Sequence, residues 1–183
     1  MYFKRNIIKK GWWELMVHQE LSAIEFKKFG FAEAEAWPQF PHPNENTFTI
    51  SVWGVDTSGK VLKELGLIVD PNYEYYLQGW TTFKFYELST LELRVTLYED
   101  EKGARFLKQD KKDLKLEKNI RYKNSENKLD YTKYYISCIM KWPFGFCEIM
   151  LEGTNKFELE IGEVKIIPLD DYIQEPDRYH HHL

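Results

Sequence analysis

Cysteine is scarce in this chain. Cys138 and Cys147 are the only two among 183 residues. Two thiols cannot form the multi-bridge framework of a small secreted scaffold. They flank Trp142-Pro143-Phe144-Gly145, a segment with turn chemistry. A two-residue turn on Trp142-Pro143 sets the cysteines directly opposite one another. A three-residue turn with Gly145 left-handed does not, and the Pro-Phe-Gly order favours that second turn. Two core thiols behaving as small hydrophobes are expected.

Long apolar runs are missing too. No stretch approaches the ~20 residues of a membrane-spanning helix. The basic residues at positions 1–10 imitate the start of an export signal. Glu14 and His18 then interrupt any apolar region, and no small-residue cleavage site follows. These features predict a cytoplasmic protein with no membrane segment. A basic excess is also absent: 25 Lys and Arg stand against 29 Asp and Glu, a net charge of −4. A duplex-binding domain normally carries the opposite balance, so no nucleic-acid partner is expected.

Motifs that announce chemistry are lacking. The chain has no Gly-rich phosphate loop, nucleophile elbow or zincin pair. Of five histidines, His180, His181 and His182 lie together near the C-terminus, His42 lies between two prolines, and His18 has no visible carboxylate or cysteine partner. The carboxylate pairs Glu33/Glu35 and Asp170/Asp171 read as exposed charge. The expectation is therefore no catalytic residue, no metal and no cofactor. Lys108, Lys111, Lys112, Lys115, Lys118, Arg121 and Lys123 cluster, but Asp110, Asp113 and Glu117 are interleaved. That pattern suits an edge strand protected by charge.

What the chain does have is apolar and aromatic content: 43% hydrophobic and 16% aromatic residues, enough for a real core. A chain of this length buries roughly 70% of its unfolded surface. Residues 12–24 carry Trp12, Trp13, Met16, Val17, Leu21 and Ile24, which keep to one helical face and predict an amphipathic helix. Residues 32–37 alternate as a strand would. Pro38, Pro41 and Pro43 mark a loop.

Strands are then predicted at residues 47–55, with a turn at 56–59 and a partner at 61–69. A second pair follows at 81–87 and 90–98. Further strands are expected at 104–108, 113–122, 131–141, 146–151, 156–161 and 164–168, with a polar loop at 123–130. The fold class is mainly β: an antiparallel β-sandwich or open barrel of about nine to ten strands. One domain spans residues 1–183, with a helical and irregular segment at 1–40, a β-rich core at 47–168 and a tail at 169–183.

An internal echo aligns Gly79-Trp80, Phe83-Lys84-Phe85 and Leu91-Glu92-Leu93 on Gly145-Phe146, Ile149-Met150-Leu151 and Phe157-Glu158-Leu159 without gaps. It reads either as a duplicated unit or as the similarity that amphipathic strands share by construction. Phe83-Lys84-Phe85, Leu91-Glu92-Leu93, Gly145-Phe146 with Ile149, Phe157-Glu158-Leu159-Glu160 and Tyr172 also carry a resemblance. From Gly79 to Tyr172 the chain resembles the broad class of small β-rich immunity proteins of bacterial polymorphic-toxin systems. The resemblance implies a cytoplasmic, non-enzymatic protein that blocks a toxin by binding it. It supplies no site residues, and residues 1–78 lie outside it.

Aromatic residues give the candidate site. Tyr73, Tyr75, Tyr76 and Trp80 fall at a loop-to-strand junction, with Tyr131, Tyr134, Tyr135 and Trp142 as a second group. Aromatics with polar tips are enriched at interfaces. The first reading is a protein-binding domain. Tyr73, Tyr75, Tyr76 and Trp80 would be its anchors, and Glu99, Asp100 and Glu101 would steer a basic toxin domain. A second reading is a β-sandwich module for a carbohydrate or other small ligand. A third is an enzyme with an unfamiliar pocket.

Overall fold

A chain whose apolar residues alternate can bury them only by pairing strands and covering one face of the sheet. The computed structural model describes residues 8–9, 12–31, 34–36, 46–67, 69–97, 114–122, 131–141 and 144–174. The strands are β1 (Ile8–Lys9), β2 (Trp12–Ser22), β3 (Phe29–Gly30), β4 (Glu35–Ala36), β5 (Phe48–Ser58), β6 (Glu74–Phe85), β7 (Thr90–Leu97), β8 (Leu114–Arg121), β9 (Thr132–Lys141), β10 (Phe144–Gly153) and β11 (Lys156–Pro168). Three short helices, α1 (Ala23–Phe26), α2 (Gly59–Glu64) and α3 (Leu169–Gln174), complete the described elements.

All eleven strands belong to one open sheet, ordered β1-β2-β11-β6-β5-β4-β9-β10-β7-β8, with β3 also on β5. The mainly-β expectation holds at that level. The sheet is mixed rather than wholly antiparallel, because β4 pairs with β9 in parallel at Glu35 and Ile139.

The backbone of the sheet is one long antiparallel ribbon. β6 pairs with β11, from Tyr75 opposite Pro168 to Phe85 opposite Phe157. β7 pairs with β10, from Thr90 opposite Glu152 to Leu97 opposite Gly145. Between these ladders each chain turns a corner, at residues 86–89 and 153–156. Ser89 N donates to the Glu152 carbonyl at 2.8 Å, and Thr154 N to the Tyr86 carbonyl at 3.3 Å. Gly153 makes the corner possible, since a Cβ there would lie 2.9 Å from the Tyr86 carbonyl oxygen and from Leu88 Cδ2.

The echoing segments are thus the two partners of one bent ribbon. Both segments alternate along their strands. The strands predicted at 81–87 and 90–98 do not pair with one another, because residues 86–89 form a corner and not a hairpin turn.

The inner faces of both arms share one core. Phe83, Phe85, Leu91, Leu93, Ile136, Ile149, Phe157 and Leu159 are all buried in it. Helix α1 drives Phe26 into the centre. Its ring stands edge-on to Phe83, Phe85, Tyr134 and Phe157, at 5.1–5.8 Å between centroids. The position is fixed by a capping arrangement in which Ser22 N donates to Glu25 Oε2 at 2.6 Å. The Ser22 hydroxyl donates to the same carboxylate and holds the Glu25 carboxyl below its usual range.

Several sequence expectations are corrected. The N-terminal amphipathic helix over residues 12–24 is not found: residues 12–22 form β2, paired with β11 from Leu21 opposite Phe157 to Trp13 opposite Val164. Half-buried Val17 and Gln19 and buried Leu21 alternate with exposed His18 and Glu20, so period two wins over period 3.6 once a partner strand is present. Residues 61–66 of the strand predicted at 61–69 are instead the end of α2 and a turn. Buried Val61, Leu62 and Leu65 have helical spacing, and the Ser58 hydroxyl accepts from Val61 N at 3.5 Å. The strands at 156–161 and 164–168 are one strand, β11, interrupted by a bulge. The tail begins with α3.

Phe144 pairs with Lys141, so two residues separate the strands and Cys138 lies directly opposite Cys147. Ile139 N points away from β10, donating to the Ala34 carbonyl at 2.9 Å. Cys138 and Cys147 are therefore a hydrogen-bonded pair, whose Cβ atoms stand about 5.5 Å apart. A disulfide wants about 3.5–4.5 Å. Both are free and buried. The neighbouring Cys147 sulfur and burial push the Cys138 thiol up, keeping it protonated. The predicted strand at 104–108, the loop at 123–130, His42, Trp142, Glu33 and His180 to His182 lie outside the described residues.

Two outcomes follow. Phe26→Ala should cost about 3–5 kcal/mol in urea unfolding, the range for removing a large core aromatic. Thiol titration with a disulfide reagent should find both cysteines silent in native buffer and reactive in denaturant, with an intact mass of two free thiols. A mass lower by two hydrogens would contradict this arrangement.

Candidate functional site

Alternation in β6 decides where each candidate aromatic goes. The strand starts at Glu74, so Tyr75 turns inward and Tyr76 outward. Tyr75 is buried, and its hydroxyl accepts from Asp70 N at 3.1 Å, tying the turn before β6 to the core. Tyr76 is buried on the other face, stacked on Tyr172 of α3 at 3.9 Å and 18°. Tyr73 and Trp80 are exposed, at 55% and 49%. The four therefore form no single platform. Glu99, Asp100 and Glu101 lie outside the described residues.

Trp80 occupies a distinctive place. It sits on the outer face of β6, opposite Trp53 of β5, with ring centroids 5.6 Å apart and planes at 78°. The strands on both sides of it are bulged at this level. β5 slips register between Trp53 and Val55, where Gly54 has φ 79°. β11 slips between Ile161 and Val164. Bulges re-aim side chains and are concentrated beside functional sites.

Gly162 lies in the second bulge, and a Cβ there would meet only the Trp80 carbonyl oxygen, at 3.7 Å. Among the described residues beyond its chain neighbours, nothing else closes on Gly162 beside Trp80. Glu160 and Glu163 stand exposed on either side of Gly162. Among the described residues neither side chain has a hydrogen bond or ion pair. Two other described carboxylates of this face are engaged. Glu158 accepts from the Tyr86 hydroxyl, which holds it below its usual range, and lies 3.2 Å from His18 Nε2. Glu20 meets Lys156 Nζ at 2.6 Å.

A groove of about 650 Å³ crosses the outer face of the other arm. Tyr135, Met150, Glu92 and Asn119 stand side by side across β9, β10, β7 and β8. Its two carboxylates, Glu92 and Glu152, have partners. Arg94 pairs with Glu92, the Tyr135 hydroxyl donates to Glu148 Oε1 at 2.9 Å, and the Ser89 hydroxyl donates to Glu152 Oε2 at 3.1 Å. Beneath it Tyr134 faces the core, its hydroxyl donating to the Thr154 carbonyl at 2.7 Å. The lysine-bearing β8 closes the described sheet as an edge strand, as its charge pattern suggested.

Among the described residues no group of three or more His, Cys, Asp or Glu is placed to hold a metal ion. No helix among them is long and apolar enough to cross a membrane. No family model, curated protein or solved structure matches the chain.

Sequence reasoning found Trp80 but missed Trp53, Glu160 and Glu163. The available signal was a lone glycine inside an alternating strand, Gly54 in one and Gly162 in the other, which marks a bulge.

Burial pushes the Tyr134 hydroxyl up to about 12. A tyrosine whose folded value is raised contributes stability that is complete below its unfolded value near 10 and is lost as pH climbs through 12. Stability measured by urea unfolding should decline across that window, and Tyr134→Phe should flatten the decline. An unchanged slope in the variant would dissociate Tyr134 from it.

Proposed function

We propose that this chain is a non-catalytic binding domain whose outer sheet face around Trp80 docks the basic surface of a protein partner. In this reading it works in the cytoplasm as an immunity protein does, by occupying a cognate toxin. The observation that carries the reading is a half-exposed tryptophan on a central strand, set between bulges on both neighbouring strands. Exposed tryptophans backed by rigid structure are typical energetic anchors of interfaces. Glu160 and Glu163 add negative charge beside it, which favours a basic partner and speeds encounter.

The resemblance to immunity proteins agrees in direction and supplies no contact. Except for exposed Glu160, half-buried Lys84, Glu92, Phe146 and Glu158 and the tightly packed Gly145 and Tyr172, the residues that carry it are inner-face core.

A second reading, a module for carbohydrate or another small ligand, is favoured by the same Trp80. A hydroxyl pair lies alongside it, Ser51 and Thr82 at 2.8 Å. The two readings part on salt, because steering between charged surfaces is screened and sugar stacking is not.

Proteins encoded beside this one should be co-expressed with it and titrated by calorimetry. A basic partner should bind below micromolar, with association slowed by salt. Trp80→Ala should weaken it by about 30-fold or more, the size of an interface hot spot, with the melting temperature held. Full affinity in a folded Trp80→Ala protein would remove this face from the interface.

A further inference from the structure

The open spot at Gly162 says what kind of group would fit beside Trp80. We infer that the surface bounded by Trp80, Gly162, Glu160 and Glu163 is a recognition site for an arginine side chain. This inference rests on the binding-domain reading and names the chemistry of its anchor.

Three properties point there. The first is the exposed indole, which offers a flat electron-rich face to a cation. Its edge-to-face contact with Trp53 fixes the ring, so little side-chain freedom is lost on binding. The second is the bare backbone at Gly162. A planar group stacked on the indole needs room on the side away from Trp53, and there a Cβ would meet no described residue beyond its chain neighbours nearer than 3.7 Å.

The third is the pair of carboxylates flanking that opening. Glu160 lies opposite Thr82, two residues along β6 from Trp80. Such diagonal neighbours stand about 7–8 Å apart, within reach of a long side chain. Glu163 precedes Val164, which lies opposite Gly79, the residue before Trp80. Neither carboxylate has a partner among the described residues to compete with an incoming cation.

Guanidinium fits these properties better than ammonium. It is planar, so it stacks on an indole along its whole face. Its five donors radiate in the plane and can reach two acceptors at once. An ammonium is a compact, strongly hydrated point charge, which gives up more water to sit on a ring. The bulges matter because a regular strand would place a side chain where Gly162 leaves none.

The test uses two blocked pentapeptides, Gly-Ser-Arg-Ser-Gly and its citrulline counterpart, which keeps the shape and loses the charge. A lysine version is the third probe. Binding is read from the Trp80 indole N–H signal by NMR and from tryptophan fluorescence. The arginine peptide should shift the indole signal saturably, with citrulline at least about tenfold weaker and lysine between them. Glu160→Gln with Glu163→Gln should weaken the arginine peptide severalfold and remove most of its salt dependence.

Gly162→Val places a side chain in the open spot. It should block the peptide while leaving the melting temperature unchanged. Equal binding of arginine and citrulline, or full arginine binding to a folded Gly162→Val protein, would overturn the inference. The two readings fail separately. If the arginine peptide does not bind but a protein partner is lost in Trp80→Ala, the binding domain stands and the arginine site falls. If the peptide binds and no protein partner does, the site stands and the partner reading falls.

Discussion

Residues 75–97 lie against residues 145–168, and the rest of the sheet is hung on that pairing. About fifty to ninety residues of chain must be closed into a loop before it forms, an entropic cost paid before any long-range contact is made. What offsets the cost is the row of buried side chains the ribbon carries inward through its corner: Phe83, Phe85, Leu88, Leu91, Leu93 on one strand and Ile149, Leu151, Phe157, Leu159, Ile161 on the other. The corner lets one ribbon serve both arms, so the arms share a core without a second set of connections. Glu87, with φ 47°, absorbs the change of direction on one strand, and Gly153 allows close approach on the other. Phe26 then fills the space between the arms and touches β6, β9 and β11 together.

A sheet that buries one face leaves the other to solvent, and this one treats its outer surface unevenly. Near the end of β11, α3 lays Tyr172 over Tyr76 and Ile167, making a small cluster apart from the main core. Gly54 serves the same packing, because a Cβ there would collide with the Tyr76 hydroxyl. A few residues away the bulge that contains Gly54 presents Trp53 to Trp80. On the other arm, the outer groove has its carboxylates tied to Arg94, Tyr135 and Ser89. Charges with internal partners have less to offer a ligand than those without. That contrast in the carboxylates separates the Trp80 face from the groove.

The strands themselves were legible, because alternation is a local property. Residues 90–97, 114–121 and 132–141 show it directly. Pairing was not local, and there the reading went wrong. Residues 86–89 have the polarity of a turn, and hairpins are the commonest link between neighbouring strands. Only buried Leu88 betrays the corner, and a lone leucine carries no such signal in sequence. Residues 12–22 satisfy a helical and a strand period at once, and what decides between them is β11, more than a hundred residues away. At 61–65 the valine and leucines drew attention by type when their spacing was helical. Among the site residues, Trp80 could be picked out by type. Tyr75 and Tyr76 could not be sorted from it, because one residue of register sends a side chain to the opposite face.

That same alternation allows stability and recognition to share strands without interfering. On β6, Phe83 and Leu77 hold the core while Trp80 faces out. On β11, Leu159 and Ile161 are buried while Glu160 and Glu163 are exposed. Outer residues can change with a partner's surface at little cost to folding, since substitutions away from buried features usually shift stability by no more than about 0.5 kcal/mol. Tyr75 and Tyr76 have no such freedom, because each is packed on its own face, and truncating them would confound loss of binding with loss of structure. The glycines at the bulges are the exception to this separation. Gly54 is held by packing against Tyr76 of the outer cluster and by its positive φ, whereas Gly162 meets no described residue closely beyond its chain neighbours. Of the two bulges that frame Trp80, one is therefore held by the fold, and the other is held by nothing in the described packing. A bare glycine where a strand would accept almost any side chain is what a site needs when something else is to occupy that space.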